Sequence, residues 1–227
     1  MLYTEEAVRD AIRNRDGKRV FYLGKGDTLT SGARDYLARQ KIEILSGDLA
    51  KPERYRLPGG GYLEEKPEHM THLRGDVLVS KCHPVIAFRG KLDSLQGELV
   101  LGQLDLPKER QRLGEILDLS RLLIRCDVME EPVPREKLCG MTEEEIRHRS
   151  HFPQKYYGKP HFMPEAWDGM LIARLNALRC RVRETELAAA AAFADPEGNC
   201  CRVDILQALN RMSSMLYIMM IENRNRP

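Results

Sequence analysis

The chain has 227 residues, 42% hydrophobic, 31% charged and 6% aromatic, a balance that excludes disorder and collagen-like architecture. Thirty-six Lys and Arg against 34 Asp and Glu leave a formal charge of +2, so overall charge directs the chain neither to nucleic acid nor to an anionic membrane, and any polyanion must be met locally. The apolar run 215–221 is seven residues long where a bilayer span takes about 20, and MLYTEEAVRD lacks a basic n-region and an apolar h-region, so a cytoplasmic address is expected.

In chain order, Thr4 caps a first helix, a strand follows over 19–23, a second helix starts after Thr30 and Ser31, and a strand closes the segment over 42–45. Residues 1–46 are thus expected as a small α/β segment built on strand–helix–strand. Between its elements, Gly24-Lys25-Gly26-Asp27 has neither P-loop nor dinucleotide-binding spacing and is expected as a plain turn. Residues 47–68 shift to Pro, Gly and charge, with Pro58-Gly59-Gly60-Gly61 at the centre, and are expected as a linker. No internal repeat is evident.

Residues 71–86 alternate around a glycine and predict a short hairpin leading into a helical domain over 69–227. The helical pattern begins near Arg89, breaks near Pro107, over 132–134 and over 153–164, and ends in two long helices near 165–194 and 202–222. The expected fold class is mainly α: a helical bundle preceded by a small α/β segment and a Pro/Gly-rich linker.

The six cysteines show no C-x-x-C pair and are expected as reduced thiols; adjacent Cys200 and Cys201 are either soft metal ligands or ordinary turn residues. His148 and His151, like His69 and His72, stand three apart without a cysteine or carboxylate at diagnostic spacing, so no metal site is assigned to them. No G-x-S-x-G elbow occurs.

Charge sits in unexpected places on the two long helices. At about 100° per residue, Arg179, Arg183 and Glu186 fall within roughly 60° of one another, on the side of Ile172, Leu175, Val182, Ala190 and Phe193. Arg174, Arg181 and Glu184 point the opposite way. Unpaired buried charge costs several kcal/mol, so this stripe predicts an inward cluster satisfied by an anionic ligand or by a buried salt-bridge network. On the last helix Asn210, Ser213, Ser214 and Tyr217 share a side with Val203, Leu206 and Ile221. Asp93 shares a face with Val100 and Leu104 and is expected as the inward carboxylate that an inward arginine needs. Three helices bringing polar groups into one core is how bundles build ligand sites.

Residues 83–95 (HPVIAFRGKLDSL), RETE at 183–186, the run DILQALNRMSS at 204–214, THL at 71–73 and Lys81 together resemble the ethanolamine-utilisation type of ATP:cob(I)alamin adenosyltransferase, distantly related to the propanediol-utilisation type. The resemblance covers about residues 68–221, and the N-terminal piece is similar to that subtype's leader. It implies a five-helix bundle that binds ATP and a corrinoid and transfers the 5′-deoxyadenosyl group to cobalt, releasing tripolyphosphate, in ethanolamine catabolism. It further implies that Arg183 and Lys81 meet the triphosphate, that Arg179 pairs with Asp93, that Glu186 holds the arginines or a magnesium-bound water, and that Asn210 bonds the nucleotide. Thr71 and His72 would close the phosphate loop. In relatives an aromatic residue in an F-x-x-P loop forms a dry wedge beneath the corrinoid; Phe162-Met163-Pro164 is one residue shorter, with Phe162 as the candidate and Tyr156, Tyr157, His161 and Trp167 as neighbours able to substitute.

Two departures stand out. Many members carry a C-C-x-x-C motif associated with a divalent metal ahead of THL, whereas residues 58–70 contain no cysteine, which implies no protein-bound metal beyond the Mg2+ carried by ATP. Glu184 and Leu187 also replace basic residues of the propanediol type. Expected partners are ATP, cobalamin, a reductase for Co(II), the ethanolamine ammonia-lyase system and further copies of the chain, within or beside a bacterial microcompartment. The alternatives are a non-catalytic corrinoid- or nucleotide-binding helical module and a microcompartment interaction protein.

Overall fold

The computed structural model describes residues 2–15, 18–24, 26–46, 54–195 and 197–224. The protein is mainly helical, with small sheets near the N-terminus, and divides into two units, Met1–Lys81 and Cys82–Pro227. No helix among the described residues is long and apolar enough to cross a membrane.

In the first unit β1 (Leu2–Tyr3) pairs in parallel with β4 (Thr28–Leu29), and β3 (Lys18–Leu23) lies between antiparallel β2 (Arg13–Arg15) and parallel β5 (Glu43–Ser46). Helices α1 (Glu5–Ala11) and α2 (Ser31–Arg39) start where Thr4 and Thr30 accept the amides of Ala7 and Ala33, both at 3.3 Å. Val8, Phe21, Ala33 and Leu37 form the core, and Tyr3 meets Phe21 edge to face at 5.2 Å. The crossover from β3 through α2 to β5 is the expected strand–helix–strand. In the turn before it, the Asp27 amide bonds the Gly24 carbonyl; Lys25 lies outside the described residues.

Of the stretch expected as linker, residues 47–53 lie outside the described residues, while 54–68 carries β6 (Tyr55–Arg56) and β7 (Tyr62–Leu63). The consecutive glycines make the hairpin turn: Gly60 and Gly61 take φ of +91° and +87°, closed to L side chains at low cost. With β8 (Met70–Arg74) and β9 (Val77–Ser80) they form a sheet ordered β7-β6-β9-β8, stapled by a two-pronged Arg56–Asp76 pair at 2.8 and 2.9 Å.

The second unit comprises α3 (Pro84–Asp105), α4 (Arg110–Met129), α5 (Glu143–His151), α6 (Pro153–Tyr157), α7 (Gly169–Phe193) and α8 (Val203–Asn223). Two prolines start helices instead of ending them. Pro84 opens α3 behind a His83 side chain that caps the Val85 amide, five residues before the expected start, and Pro153 opens α6. Helix α7 packs between α3 and α8, α4 packs on α3, and α5 packs on α8. Leu92, Leu95 and Leu99 of α3, Ile116 and Leu123 of α4, and Leu175 and Val182 of α7 fill the interior with a nearly all-buried second half of α8. Met215, Met219 and Met220 there suit a helix surrounded on several sides, because thioethers fill irregular gaps. An ion pair is buried between two of these helices: Arg89 of α3 contacts Asp127 of α4 at 2.7 Å, and Asp127 has no solvent exposure.

Candidate functional site along the α7–α8 seam

Two contacts fix how α7 and α8 meet. Asn210 Nδ2 donates to Glu186 Oε1 at 3.2 Å, and two turns away on both helices the Arg179 guanidinium stands 5.5 Å from the Tyr217 ring centre. The helices are therefore antiparallel, with Arg183 one turn from both Arg179 and Glu186 on the same side of α7. Arg183 is exposed and makes no ion pair among the described residues, while Arg179 and Glu186 are half-buried.

The 158–168 segment docks at the Tyr217 end. The Tyr217 hydroxyl accepts the Phe162 amide at 3.3 Å and lies 3.0 Å from His161 Nδ1; the His161 ring stacks on Tyr217 at 5.8 Å and the Phe162 ring at 6.0 Å. Arg179, Tyr217, His161 and Phe162 thus form a continuous cationic and aromatic run. Tyr157 stands apart from it among the contacts of the described residues, and burial pushes its phenol pKa up. Trp167 is 64% exposed.

At the other end of the seam, Glu143 and Arg147 of α5, Glu186 of α7 and Gln207, Asn210 and Arg211 of α8 line a groove of about 370 Å³. Gln207 donates to the Glu143 carboxylate at 2.8 Å; Arg211 donates to the Glu143 carbonyl and to the Asn210 carbonyl oxygen, which orients the Asn210 amide toward Glu186. Burial, then the nearby Arg147 charge, hold the Arg211 guanidinium below its ordinary pKa. Sequence reasoning passed over Arg147, Arg211, Glu143 and Gln207. The only signal was that Arg211 and Gln207 belong to the same run as Asn210.

Three placements correct the sequence expectation. Arg183 is not in the buried stripe: α7 buries Ile172, Leu175, Leu178, Val182, Thr185, Ala189 and Phe193, and the polar cluster forms a surface seam beside that row. Arg174, expected outward in solvent, lies half-buried against α3, 3.0 Å from both Glu98 and Asp105. Asp93 is exposed, and no contact joins it to Arg179 among the described residues; Leu104 on the same face is 66% exposed, so this is the outer side of α3. On α8, Ser213 and Ile221 are buried as expected, but Asn210 and Val203 are exposed.

Thr71, His72 and Lys81 belong to the first unit. Thr71 sits in β8 opposite Val79, His72 Nδ1 lies 2.9 Å from the Gly75 carbonyl, and Lys81 bonds exposed Glu68 at 2.9 Å, which pulls the Glu68 carboxyl down. Such an exposed pair contributes little and exchanges readily.

Among the described residues no group of three or more His, Cys, Asp and Glu is placed to hold a metal ion. Cys201 donates its amide to Phe193 in the turn between α7 and α8, whose Pro196 lies outside the described residues. His148 faces Tyr156 and Phe152, whereas His151 Nδ1 faces the Arg147 carbonyl. Burial pushes the Cys139 thiol to about 11, so it stays protonated at neutral pH. Cys180 is exposed, and iodoacetamide at pH 8 is expected to label it while sparing Cys139, as peptide mass mapping of native protein reads out. The native state also holds the Cys139 proton more tightly than an unfolded thiol with its ordinary value of 9.0, so its contribution to stability falls as pH rises from 9.0 to about 11.

Residues 61–222, which include the whole seam and the docked segment, match the cobalamin adenosyltransferase family, and the chain belongs to that family. Among curated proteins it is similar to the corrinoid adenosyltransferase EutT of Salmonella typhimurium, 40% identical over 165 residues, and to that of Escherichia coli K12, 39% identical over 158 residues. Each match covers 69% of this chain and 59% of the relative, so the chain spans about 59% of the length of the curated relatives it matches. No solved structure matches the chain.

Proposed function

We propose that the protein transfers the 5′-deoxyadenosyl group of ATP to the cobalt of a reduced corrinoid. The observation that supports this best is the gathering of Arg179, Arg183, Glu186 and Asn210 on one seam inside the family-matched stretch. In the reaction, Co(I) supplies an electron pair to ribose C5′, a Co–C bond forms, the C5′–O bond breaks, and tripolyphosphate leaves with the bonding pair. The protein's task is alignment and stabilisation of the departing charge. Arg183, unpaired and exposed among the described residues, is free to take a phosphate oxygen, and Asn210 keeps a second amide hydrogen for the nucleotide while its carbonyl oxygen is held by Arg211. Glu186 restrains Asn210 and would hold a water of the magnesium carried by ATP, and Arg179 braces Tyr217 against the Phe162 segment. Phe162, with His161, Tyr157 and Trp167 nearby in sequence, supplies an apolar surface that excludes water from the corrinoid's lower face.

Helices α3, α4, α5, α7 and α8 are read as the five helices of the bundle. Roles for Thr71, His72 and Lys81 at ATP and for Asp93, a reductase and ammonia-lyase as partners, self-association and a place in ethanolamine catabolism beside a microcompartment rest on the resemblance alone. Anaerobic incubation with ATP and chemically reduced cobalamin is expected to yield adenosylcobalamin and tripolyphosphate, followed by absorbance and by phosphorus NMR. Binding of both substrates without product would favour the non-catalytic module; binding of neither would favour the interaction protein.

A further inference from the structure

We propose that Arg224, just past the end of α8, is the positioning residue that fixes the 158–168 segment and with it the face Phe162 offers to the corrinoid; this rests on the adenosyltransferase reading. The segment is tied to α8 at its start, middle and end. At its start the Lys159 ammonium donates to the carbonyls of Ile221, Glu222 and Arg224 at 2.7, 3.3 and 2.5 Å. Ile221 and Glu222 belong to the last turn of α8 and Arg224 follows it, a helix end where a cation is favoured. In its middle the Tyr217 hydroxyl holds the Phe162 amide.

At its end Arg224 Nε contacts Asp168 Oδ1 at 3.1 Å, with the two side chains 16% and 1% exposed. The other Asp168 oxygen accepts the Glu165 amide at 3.0 Å, closing the turn over residues 165–168. The same Arg224 guanidinium lies 4.1 Å from the Phe162 ring centre. One planar cation thereby joins the segment's last residue to its central aromatic ring, and Phe162 is held between Arg224 and Tyr217. A surface that must keep water from the lower face of a bound ring works only if it cannot swing aside. Among the described residues Arg224 contacts neither the seam residues Arg183, Glu186 and Asn210 nor the groove beside them, so its loss separates corrinoid from nucleotide.

Trp167 is the chain's only tryptophan and adjoins Asp168, so its fluorescence reports the segment directly. In Arg224→Gln, the steady-state fluorescence anisotropy of Trp167 is expected to fall by about a third as the segment loosens and cob(II)alamin affinity to fall about tenfold, with ATP affinity by calorimetry unchanged within about twofold. Arg224→Lys, which keeps the charge and loses the planar stack, should fall between. Wild-type Trp167 anisotropy and cob(II)alamin affinity in Arg224→Gln would overturn the proposal, as would equal losses of ATP and corrinoid binding. If Arg224→Gln does not fold, Arg224→Lys alone is judged by the same outcomes. Wild-type protein that binds no cob(II)alamin would instead overturn the adenosyltransferase reading, leaving the Trp167 comparison to decide the tether.

Discussion

Arg183→Ala is expected to lower kcat/KM for adenosylation by about 10²–10³ while leaving the thermal midpoint within about 1 °C of wild type. The two halves of this result have one cause. Arg183 is exposed and makes no ion pair among the described residues, so the folded protein loses almost nothing when it is removed. A guanidinium with no ion pair among the described residues is, however, available to a phosphate oxygen, and a charge-assisted bond that strengthens as polyphosphate departs acts on the transition state more than on bound ATP. Arg183→Lys keeps the charge without the planar fork and should recover part of the loss. Rates of adenosylcobalamin formation beside a melting curve check both halves; unchanged turnover in Arg183→Ala would remove Arg183 from the site.

Asp127→Ala is expected to destabilise the protein by about 3–5 kcal/mol, read as a shift in the urea unfolding midpoint. Asp127 is fully buried and Arg89 nearly so, 2.7 Å apart and joining α3 to α4. Deleting the carboxylate takes away the counter-charge 2.7 Å from a poorly solvated cation, and breaking a buried pair from one side costs more than the net value of the intact pair. Arg89→Met with Asp127→Leu removes both charges at similar volume and should restore most of the stability. A loss below about 1 kcal/mol in Asp127→Ala would show that water or neighbouring groups reach Arg89 easily.

The sequence made local features legible and left tertiary ones hidden, for identifiable reasons. Thr4 and Thr30 mark helix starts because a cap acts within three residues, and the hairpin around Gly75 shows through alternation and a glycine at φ of +50°. The long helices show through their period. Which edge of a wide apolar stripe is covered does not, since that is decided by neighbouring helices: Arg174 lies half-buried against Glu98 and Asp105 of α3, and Arg183 stays outside although its ideal helical angle is within about 20° of that of buried Ile172. Asp93 was misplaced for the same reason, its apolar neighbours Val100 and Leu104 being themselves on the open side of α3.

Contacts across long sequence separations were equally invisible. Arg89 meets Asp127 from 38 residues away, Arg224 meets Asp168 from 56, and Glu143 reaches Gln207 from 64. Of the candidate site, Arg179, Glu186 and Asn210 were found by face and by family likeness together, and the structure joins Glu186 to Asn210 directly. The groove beside them, framed by Arg147 and Arg211, needed α5 to fold back onto α8.

On the proposed reading the α7–α8 seam receives the nucleotide. A crystal structure of the chain with ATP and a corrinoid tests it most directly. The seam account predicts a phosphate oxygen within hydrogen-bonding distance of Arg183 and a nucleotide atom on the Asn210 amide. Nucleotide bound elsewhere, with Arg183 and Asn210 untouched, would contradict it.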